Sequence, residues 1–293
     1  MTSARPSAQP APPQKLLSDL PERQRIAVGE DVVSFRAAGE GPALLFLHGL
    51  LGSADSWAWQ FRALTDRFKV IAWDAPGYMG SSAAAPQIEA FADRLQGFIE
   101  ALDLGQVRPI VIGNSMGGTL AAYLASRPDA PLSGLVQSCS HAGYNAPAGT
   151  PPTQKLIERI ESLKRDGQQA YGQSRAEAML AQPADRRTVD LAARIAAQTD
   201  ADGLFAATRM LQFVDLRPRY AQITCPMMVI FGARDPVVRP DLTEELRGLT
   251  RFATQITLPD TGHAPYLERP DAFNDAITTF ADHVAATARA QNT

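Results

Sequence analysis

Short, nearly uninterrupted hydrophobic runs alternate with longer amphipathic segments along most of the chain. Ala43–Leu47 and Met227–Phe231 are continuous apolar runs, and Phe68–Trp73 is nearly so. Such runs are typical of strands that are buried on both faces of a sheet. Glu89–Leu102 has apolar residues at helical spacing instead. The alternation of the two patterns predicts an α/β fold with a mostly parallel central sheet and helices on both faces.

The beginning of the chain has a different pattern. Residues 1–20 are rich in Pro, Ala and Ser, which predicts a disordered tail that cannot bury enough apolar surface to become ordered. We expect neither a signal peptide, because no apolar h-region is visible, nor a membrane span, because no apolar run approaches about 18 residues. Two extended runs between Arg25 and Ala37 flank Gly29-Glu30-Asp31 and predict a hairpin.

The alternation of strands and helices is interrupted between residues 141 and 222. A loop rich in Gly and Pro comes first, and helix-like segments without a convincing strand follow it. We predict that residues 141–222 form a helical cap, inserted between two parts of an α/β core at 21–140 and 223–293. The four helix-like segments are Gln154–Arg165, Gln168–Ala181, Asp185–Gln198 and Gly203–Asp215.

A Gly-x-Ser-x-Gly motif centred on Ser115 follows the β-branched run at 110–112 and precedes a helix-like run that begins at Thr119. This strand–turn–helix context is the one that a nucleophile elbow requires. Gly113 and Gly117 permit a tight turn because they have no side chain. The turn would raise the Ser115 hydroxyl to a helix N-terminus, where free backbone N–H groups favour a developing oxyanion. For the pentapeptide alone, a glycine-rich turn with an idle serine is the alternative interpretation.

Asp235 and His263 follow two further predicted strands, so both should lie with Ser115 at the carboxyl edge of the sheet. A histidine can take the proton of a serine hydroxyl near neutral pH. An aspartate can hold the imidazole tautomer and stabilise the imidazolium. The alternatives are a surface histidine, and a turn-forming Asp235 with Asp260 as the replacement acid.

Charge and composition narrow the range of partners. With 28 Lys and Arg against 31 Asp and Glu, the net charge is −3, so we expect neither a nucleic-acid partner nor an anionic membrane surface. Cys139 and Cys225 lie in or beside apolar runs, which suggests buried thiols and a cytoplasmic protein. The four His and two Cys have no ligand spacing, and no dinucleotide fingerprint is present. We therefore expect no metal and no cofactor; the oligomeric state, a homodimer included, stays open.

Together the motifs resemble the α/β-hydrolase superfamily over residues 25–285. The order Ser115, Asp235, His263 is the chain order of that family's triad. The resemblance implies a serine nucleophile, a histidine general base and acid, an orienting aspartate and an oxyanion hole formed by the backbone N–H groups of Leu50 and Met116. The motifs that carry it are His48-Gly49, Asp74-x-Pro76-Gly77, Gly113-Asn114-Ser115-Met116-Gly117-Gly118, Gly232-x-x-Asp235 and Gly262-His263. By the same resemblance, His48 is a structural loop histidine.

Two groups within the superfamily are similar to this chain. The layout resembles 3-oxoadipate enol-lactonases and small-ester hydrolases, whereas the elbow resembles the meta-cleavage-product hydrolases, which cut carbon–carbon bonds. The chain departs from the second group because Ala264 stands where a tryptophan commonly follows the histidine, and because Leu50-Leu51 makes the oxyanion loop poorer in glycine. Met79 also stands where a glycine is usual in the loop that begins at Asp74.

We therefore expect a serine hydrolase of the carboxylesterase or lactonase class that cleaves a small ester or lactone through an acyl-enzyme. Three alternatives remain open: carbon–carbon hydrolysis of a ring-fission dienoate or related diketone, transfer of the acyl group to another acceptor, and a non-catalytic ligand-binding protein. The partner in each case is a small molecule.

The predicted cap supplies candidates for substrate binding. Its arginines, among them Arg194 and Arg209, could pair with a substrate carboxylate, although each could equally be a solvated surface residue. Aromatic residues, Trp57 and Phe205 included, could form pocket walls or could pack between helices. The residues that we select as substrate-binding candidates are Asn114, Trp59, Tyr144, Arg175 and Phe213.

Overall fold

The computed structural model describes residues 12–105 and 108–291. Its centre is an eight-stranded sheet in the order β1-β2-β4-β3-β5-β6-β7-β8. The strands are β1 (Arg23–Val28), β2 (Asp31–Ala38), β3 (Ala43–Leu47), β4 (Lys69–Trp73), β5 (Ile110–Asn114), β6 (Gly134–Ser138), β7 (Met227–Gly232) and β8 (Thr254–Leu258). β1 and β2 form an antiparallel hairpin, β2 pairs antiparallel with β4, and all later pairs are parallel. The predicted fold class, a mostly parallel sheet in an α/β fold, is confirmed.

Helices cover both faces of the sheet. They are α1 (Pro13–Ser18), α2 (Ala58–Leu64), α3 (Ile88–Ala101), α4 (Met116–Ala125), α5 (Gln154–Met179), α6 (Arg186–Ala196), α7 (Ala201–Phe213), α8 (Pro240–Leu249), α9 (Pro265–Glu268) and α10 (Pro270–Gln291), with short 3-10 helices at Ala54–Trp57 and Arg217–Gln222. In β3, Leu45 and Leu47 pack into the core beneath α3 and α4, whereas Leu44 and Phe46 pack into the core beneath α2 and α10. Because successive side chains of a strand point to opposite faces, an unbroken apolar run fills two cores. None of the helices in the described residues is long and apolar enough to cross a membrane.

The prediction of a disordered tail is wrong for residues 13–18. These residues form α1, which begins at a proline in the first helical position, where its missing N–H costs nothing. α1 packs against α2 and α6, and Leu16 is buried in the same core as Phe61. The apolar surface that orders this segment comes from Leu16, with Leu17 and Leu20 partly buried against the same core, and the surrounding composition obscured it. Residues 1–11 lie outside the described residues.

The chain leaves the sheet after β6 and returns to the neighbouring strand β7. Between them, at 139–226, a stretch that the structure describes in full, there are helices and no strand. We call α5–α7 the helical insertion. The two helices predicted before Ala181 correspond to α5, whose helical geometry is broken at Gly167, with a φ of 79°. The break lies where the sequence predicts the boundary, because a left-handed φ suits glycine.

Candidate active site

Ser115 lies at the turn between β5 and α4. Its backbone has φ 53° and ψ −117°, a conformation that non-glycine residues seldom adopt and that the surrounding structure must impose. A Cβ at Gly113 would lie 2.2 Å from the carbonyl carbon of Gly117, and a Cβ at Gly117 would lie 2.2 Å from the carbonyl oxygen of Leu47. Both glycines are therefore required for the close approach of α4 to the sheet.

Hydrogen bonds fix the strained turn to its neighbours. The Ser115 N–H donates to the carbonyl oxygen of Ser138 at 2.8 Å, and the Ser140 hydroxyl donates to the Ser115 carbonyl oxygen at 2.8 Å. The Asn114 amide accepts from the Ser138 hydroxyl at 3.1 Å and donates to the His263 carbonyl oxygen at 3.3 Å. Asn114 lines the central cavity, as expected of a substrate-binding residue, but its side chain is occupied in joining the elbow to the histidine loop.

The structure brings Asp235 and His263 together, each at the end of a strand. Asp235 Oδ2 and His263 Nδ1 are 2.9 Å apart, and both side chains are almost fully buried. An ionised carboxylate can only accept, so Nδ1 carries the hydrogen and Nε2 of the neutral ring is free to take a proton. The other carboxylate oxygen, Oδ1, accepts the backbone N–H groups of Val237 and Val238 at 2.8 and 3.1 Å.

These bonds determine the charge of Asp235. Burial by itself raises the pKa of the carboxyl, but the positive charge that His263 carries when protonated and the hydrogen bonds from His263, Val237 and Val238 outweigh it, and the pKa is lowered. Asp235 is therefore charged at neutral pH. Asp260, the alternative acid, is exposed and forms an ion pair with Arg234 at 2.7 Å.

Ser115 and His263 line the same cavity, which has a volume of about 290 Å³. Ser115 is 9% exposed and His263 is 7% exposed. Among the described residues, no hydrogen bond joins the Ser115 hydroxyl to the imidazole. Such bonds are often long in the absence of substrate and tighten only in the complex.

The two expected oxyanion-hole amides have no other partner in the described part of the chain. Met116 is the first residue of α4, so its N–H has no acceptor within the helix. Leu50 follows β3, and its N–H makes no backbone or side-chain hydrogen bond within the described ranges. Leu50 lines the cavity together with Gly49, where a Cβ would lie 3.3 Å from Ser115 Cβ. Both free donors therefore lie on the segments that flank the serine.

His48 ties the loop after β3 to the loop after β4. Its Nδ1 bonds to the Gly49 carbonyl oxygen at 2.7 Å and its Nε2 accepts the Ala75 N–H at 3.0 Å. Burial lowers the pKa of His48 to about 4, so the ring is neutral. Its bonds are those of a structural histidine. In the loop after β4, Met79 has a φ of 49°, which explains why a glycine would be the usual residue there.

One group of ligand-type atoms lies in the described residues: Cys139, Asp235 and His263, whose ligand atoms are within 4.8 Å of one another. Asp235 and His263 already bond to each other. Burial raises the pKa of the Cys139 thiol, which disfavours the thiolate that a metal would need. The group fits a metal poorly.

Three of the substrate-binding candidates, Trp59, Tyr144 and Phe213, lie outside the cavity lining. Trp59 packs on the core beneath α2. Tyr144 is 51% exposed and packs on His141. Phe213 is covered by the Arg209 guanidinium, 4.6 Å from its ring centroid. The packing of each helix or loop against the rest of the protein decides where its aromatic side chain lies, and in these three cases that is not the cavity.

Arg175 lines the cavity, as expected, together with two cations that the sequence analysis missed, Lys155 and Arg159. They stand four residues apart on α5 and so share one side of the helix. The four-residue spacing of Lys155 and Arg159, next to the apolar positions in the first half of α5, is the sequence signal that could have identified the two cations. The other arginine candidates are paired elsewhere: Arg194 with Asp190, and Arg209 with Thr150 and Gln212.

Comparison with known proteins is consistent with this geometry. The model of the alpha/beta hydrolase family matches residues 44–276. A pimeloyl-[acyl-carrier protein] methyl ester esterase of Vibrio atlanticus is 28% identical over 261 residues, which cover 86% of this chain and 98% of that protein. An (E)-2-((N-methylformamido)methylene)succinate hydrolase of Acinetobacter baylyi is 27% identical over 254 residues, 82% of this chain and 90% of that protein.

Among solved structures, an enol-lactonase from Burkholderia xenovorans superposes with a TM-score of 0.76 at 24% identity. The superposition covers 88% of this chain and 100% of that one. At this identity the likeness concerns the fold.

Proposed function

The chain belongs to the alpha/beta hydrolase family, and from this premise we propose that it is a serine hydrolase that cleaves small carboxylic esters or lactones through an acyl-enzyme. The observation that carries the proposal is the 2.9 Å bond between Asp235 and His263, together with the strained elbow of Ser115, which lines the same cavity as His263. A charged carboxylate, an oriented imidazole and a serine at a helix N-terminus are the parts that nucleophilic acyl transfer needs.

In the proposed mechanism, the Ser115 hydroxyl oxygen attacks the carbonyl carbon of the substrate while His263 Nε2 takes the hydroxyl proton. Collapse of the tetrahedral intermediate breaks the bond to the alcohol oxygen, which receives that proton from His263. Water then attacks the acyl-enzyme by the same route, releasing the carboxylic acid and returning the proton to Ser115. Asp235 remains ionised throughout and stabilises the imidazolium.

The negative charge that develops on the carbonyl oxygen is stabilised by the N–H groups of Leu50 and Met116. Both donors are free of other hydrogen bonds within the described residues, so they need not exchange partners during the reaction. The N-terminus of α4 adds the positive end of its dipole at the same point.

Ester chemistry is favoured over carbon–carbon hydrolysis by the surroundings of the triad. A carbon–carbon hydrolase must first bring a dienolate to its keto form, which requires polar groups around a conjugated substrate. The loops that follow β3 and His263 line the cavity with mostly apolar side chains, those of Leu50, Leu51, Tyr266 and Leu267, whereas the cationic side chains of the lining stand on α5. The similarity to a methyl ester esterase also supports an ester substrate.

The experiment is a panel of p-nitrophenyl acetate and butyrate, an enol-lactone and a 2-hydroxy-6-oxo-dienoate, measured with the wild-type protein and with Ser115→Ala. We expect the butyrate ester to exceed the dienoate at least about tenfold in kcat/KM, and Ser115→Ala to lose on the order of a millionfold in kcat. A dienoate preference would establish carbon–carbon hydrolysis instead. More than a few per cent of wild-type activity in Ser115→Ala would remove the serine from its assigned role.

A further inference from the structure

Three cationic side chains of α5 line the cavity that contains Ser115 and His263. They are Lys155 and Arg159 in the first half of the helix and Arg175 in the second half. Within residues 12–105 and 108–291, none of the three forms an ion pair with a carboxylate. Three unneutralised positive charges therefore share one small cavity.

Arg159 is the least compensated of the three cations. Its Nε atom is buried and has no hydrogen-bond partner. Burial lowers the pKa of its guanidinium, and the charge of Arg175 lowers it further. The charge of Arg159 is in turn the main cause that lowers the pKa of Lys155. An unpaired, partly buried charge beside like charges is costly unless an opposite charge completes the group.

A neutral donor adds to the same arrangement. The hydroxyl of Tyr171 is buried without a hydrogen-bond partner, and the Arg175 guanidinium carbon lies 5.8 Å from the centroid of its ring. Tyr171 also packs in one cluster with Leu50 and Leu51, the residues of the expected oxyanion loop. The unsatisfied donors of α5 are thus close to the site of acyl transfer.

We propose that Lys155, Arg159 and Arg175 bind a carboxylate of the substrate, so that the enzyme selects anionic esters or lactones over neutral ones. This inference rests on the proposed ester chemistry and adds the class of substrate. A planar guanidinium matches a carboxylate in a bidentate pair. A bound anion would also offset the repulsion among the two guanidinium groups and the ammonium group. The cavity of about 290 Å³ holds a small acyl or alcohol group between this cluster and Ser115.

The test compares matched esters that differ in charge. On the acyl side, the p-nitrophenyl half-ester of glutaric acid is compared with p-nitrophenyl butyrate. On the alcohol side, 4-butyryloxybenzoate is compared with phenyl butyrate. We expect the anionic member of at least one pair to have the higher kcat/KM, through a lower KM. The preference should decline as NaCl is raised from about 10 mM to about 500 mM, because salt screens charge.

Variants locate the effect. Arg159→Gln should raise the KM of the preferred anionic ester about 10- to 100-fold, and by at least about tenfold more than that of its neutral partner. Arg159→Lys should recover part of the loss. The matched control is Arg194→Gln on α6, because Arg194 lies outside the cavity lining and pairs with Asp190 near solvent. In this control variant, the KM values of both esters should equal those of the wild type.

Equal losses on charged and neutral esters in Arg159→Gln would assign Arg159 a structural role and overturn the inference. So would a wild-type protein that does not prefer either anionic ester. If the wild type hydrolyses none of the esters, the proposed function fails, and the anion site is judged by calorimetric binding of glutarate. Binding that is weakened by Arg159→Gln and not by Arg194→Gln would support the site, and an absence of binding would overturn it.

Discussion

An Asp235→Asn variant replaces the carboxylate by an amide. The hydrogen-bonding groups around position 235 allow that amide only one orientation. One carboxylate oxygen accepts two backbone N–H groups, from Val237 and Val238, while the other faces His263 Nδ1 at 2.9 Å. Asparagine has one carbonyl oxygen, and the two N–H donors require it on their side. Its NH₂ group then faces Nδ1, which must accept a hydrogen bond, so the ring proton moves to Nε2.

In that tautomer His263 cannot take the proton of Ser115. A histidine held in the wrong tautomer costs about 10,000-fold in kcat in a serine protease triad, which corresponds to about 5.5 kcal/mol of transition-state stabilisation. We expect a loss of that order here. KM should change little, because the Asp235 oxygens bond to protein groups and Asp235 is not part of the cavity wall.

The assay is the steady-state hydrolysis of p-nitrophenyl butyrate near neutral pH. The matched control is Asp260→Asn: Asp260 is exposed, pairs with Arg234, and has a φ of 50° that asparagine tolerates. Loss of an exposed ion pair should leave kcat within about twofold of the wild type. Retention of more than about 1% of wild-type kcat in Asp235→Asn would refute the tautomer argument. An equal loss in Asp260→Asn would transfer the role to that residue.

Four further outcomes are expected. Gly117→Ala should prevent soluble folding, because its Cβ would lie 2.2 Å from a carbonyl oxygen of β3. Gly248→Ala, on α8 with nothing within 4 Å of its Cβ, should raise the free energy of unfolding in urea by about 0.5–1 kcal/mol. Burial lowers the pKa values of His48 and His141 to about 4 from the usual value of 6.5, so each contributes stability that is complete above pH 6.5 and is lost as the pH falls. Urea unfolding at several pH values should show a loss of about 1.4 kcal/mol per pH unit per histidine between 6.5 and 4. Glu268→Gln removes one of the oxygens that hold the His263 loop, so kcat should fall about tenfold, and an unchanged kcat with a lowered Tm would assign Glu268 to stability alone.

The sheet and the elbow were predictable because local physics determines them. Apolar runs such as Ala43–Leu47 can only be buried on two faces. The glycines around Ser115 indicate close backbone contacts that no other residue permits. The acid and base could also be predicted because the carboxyl ends of parallel strands share one edge of the sheet, so Asp235 and His263 meet although they are 28 positions apart.

The substrate-binding residues were less predictable because they depend on how the insertion packs. The sequence places Arg175, Arg194 and Arg209 on helices, but only the tertiary structure determines which helix face meets the cavity. Arg175 faces it, whereas Arg209 lies over Phe213 and bonds to the loop before α5. The ordering of α1 was missed for a similar reason. The core beneath α2 accommodates Leu16, and no local pattern reveals that contact.

The helical insertion holds the loop of His263 in place and also contributes to the wall of the cavity. The N–H of His263 donates to the carbonyl oxygen of Met179, the last residue of α5, at 2.9 Å. Glu268 accepts the N–H groups of Ala181 and Gly262 at 2.8 and 3.0 Å, and a Cβ at Gly262 would lie 2.5 Å from the Ala181 nitrogen. The end of α5 and the histidine loop are therefore one hydrogen-bonded unit. Removal of residues 141–222 would also remove the backbone groups that position His263, the proposed general base, so a shortened chain could keep its sheet and still lose its activity.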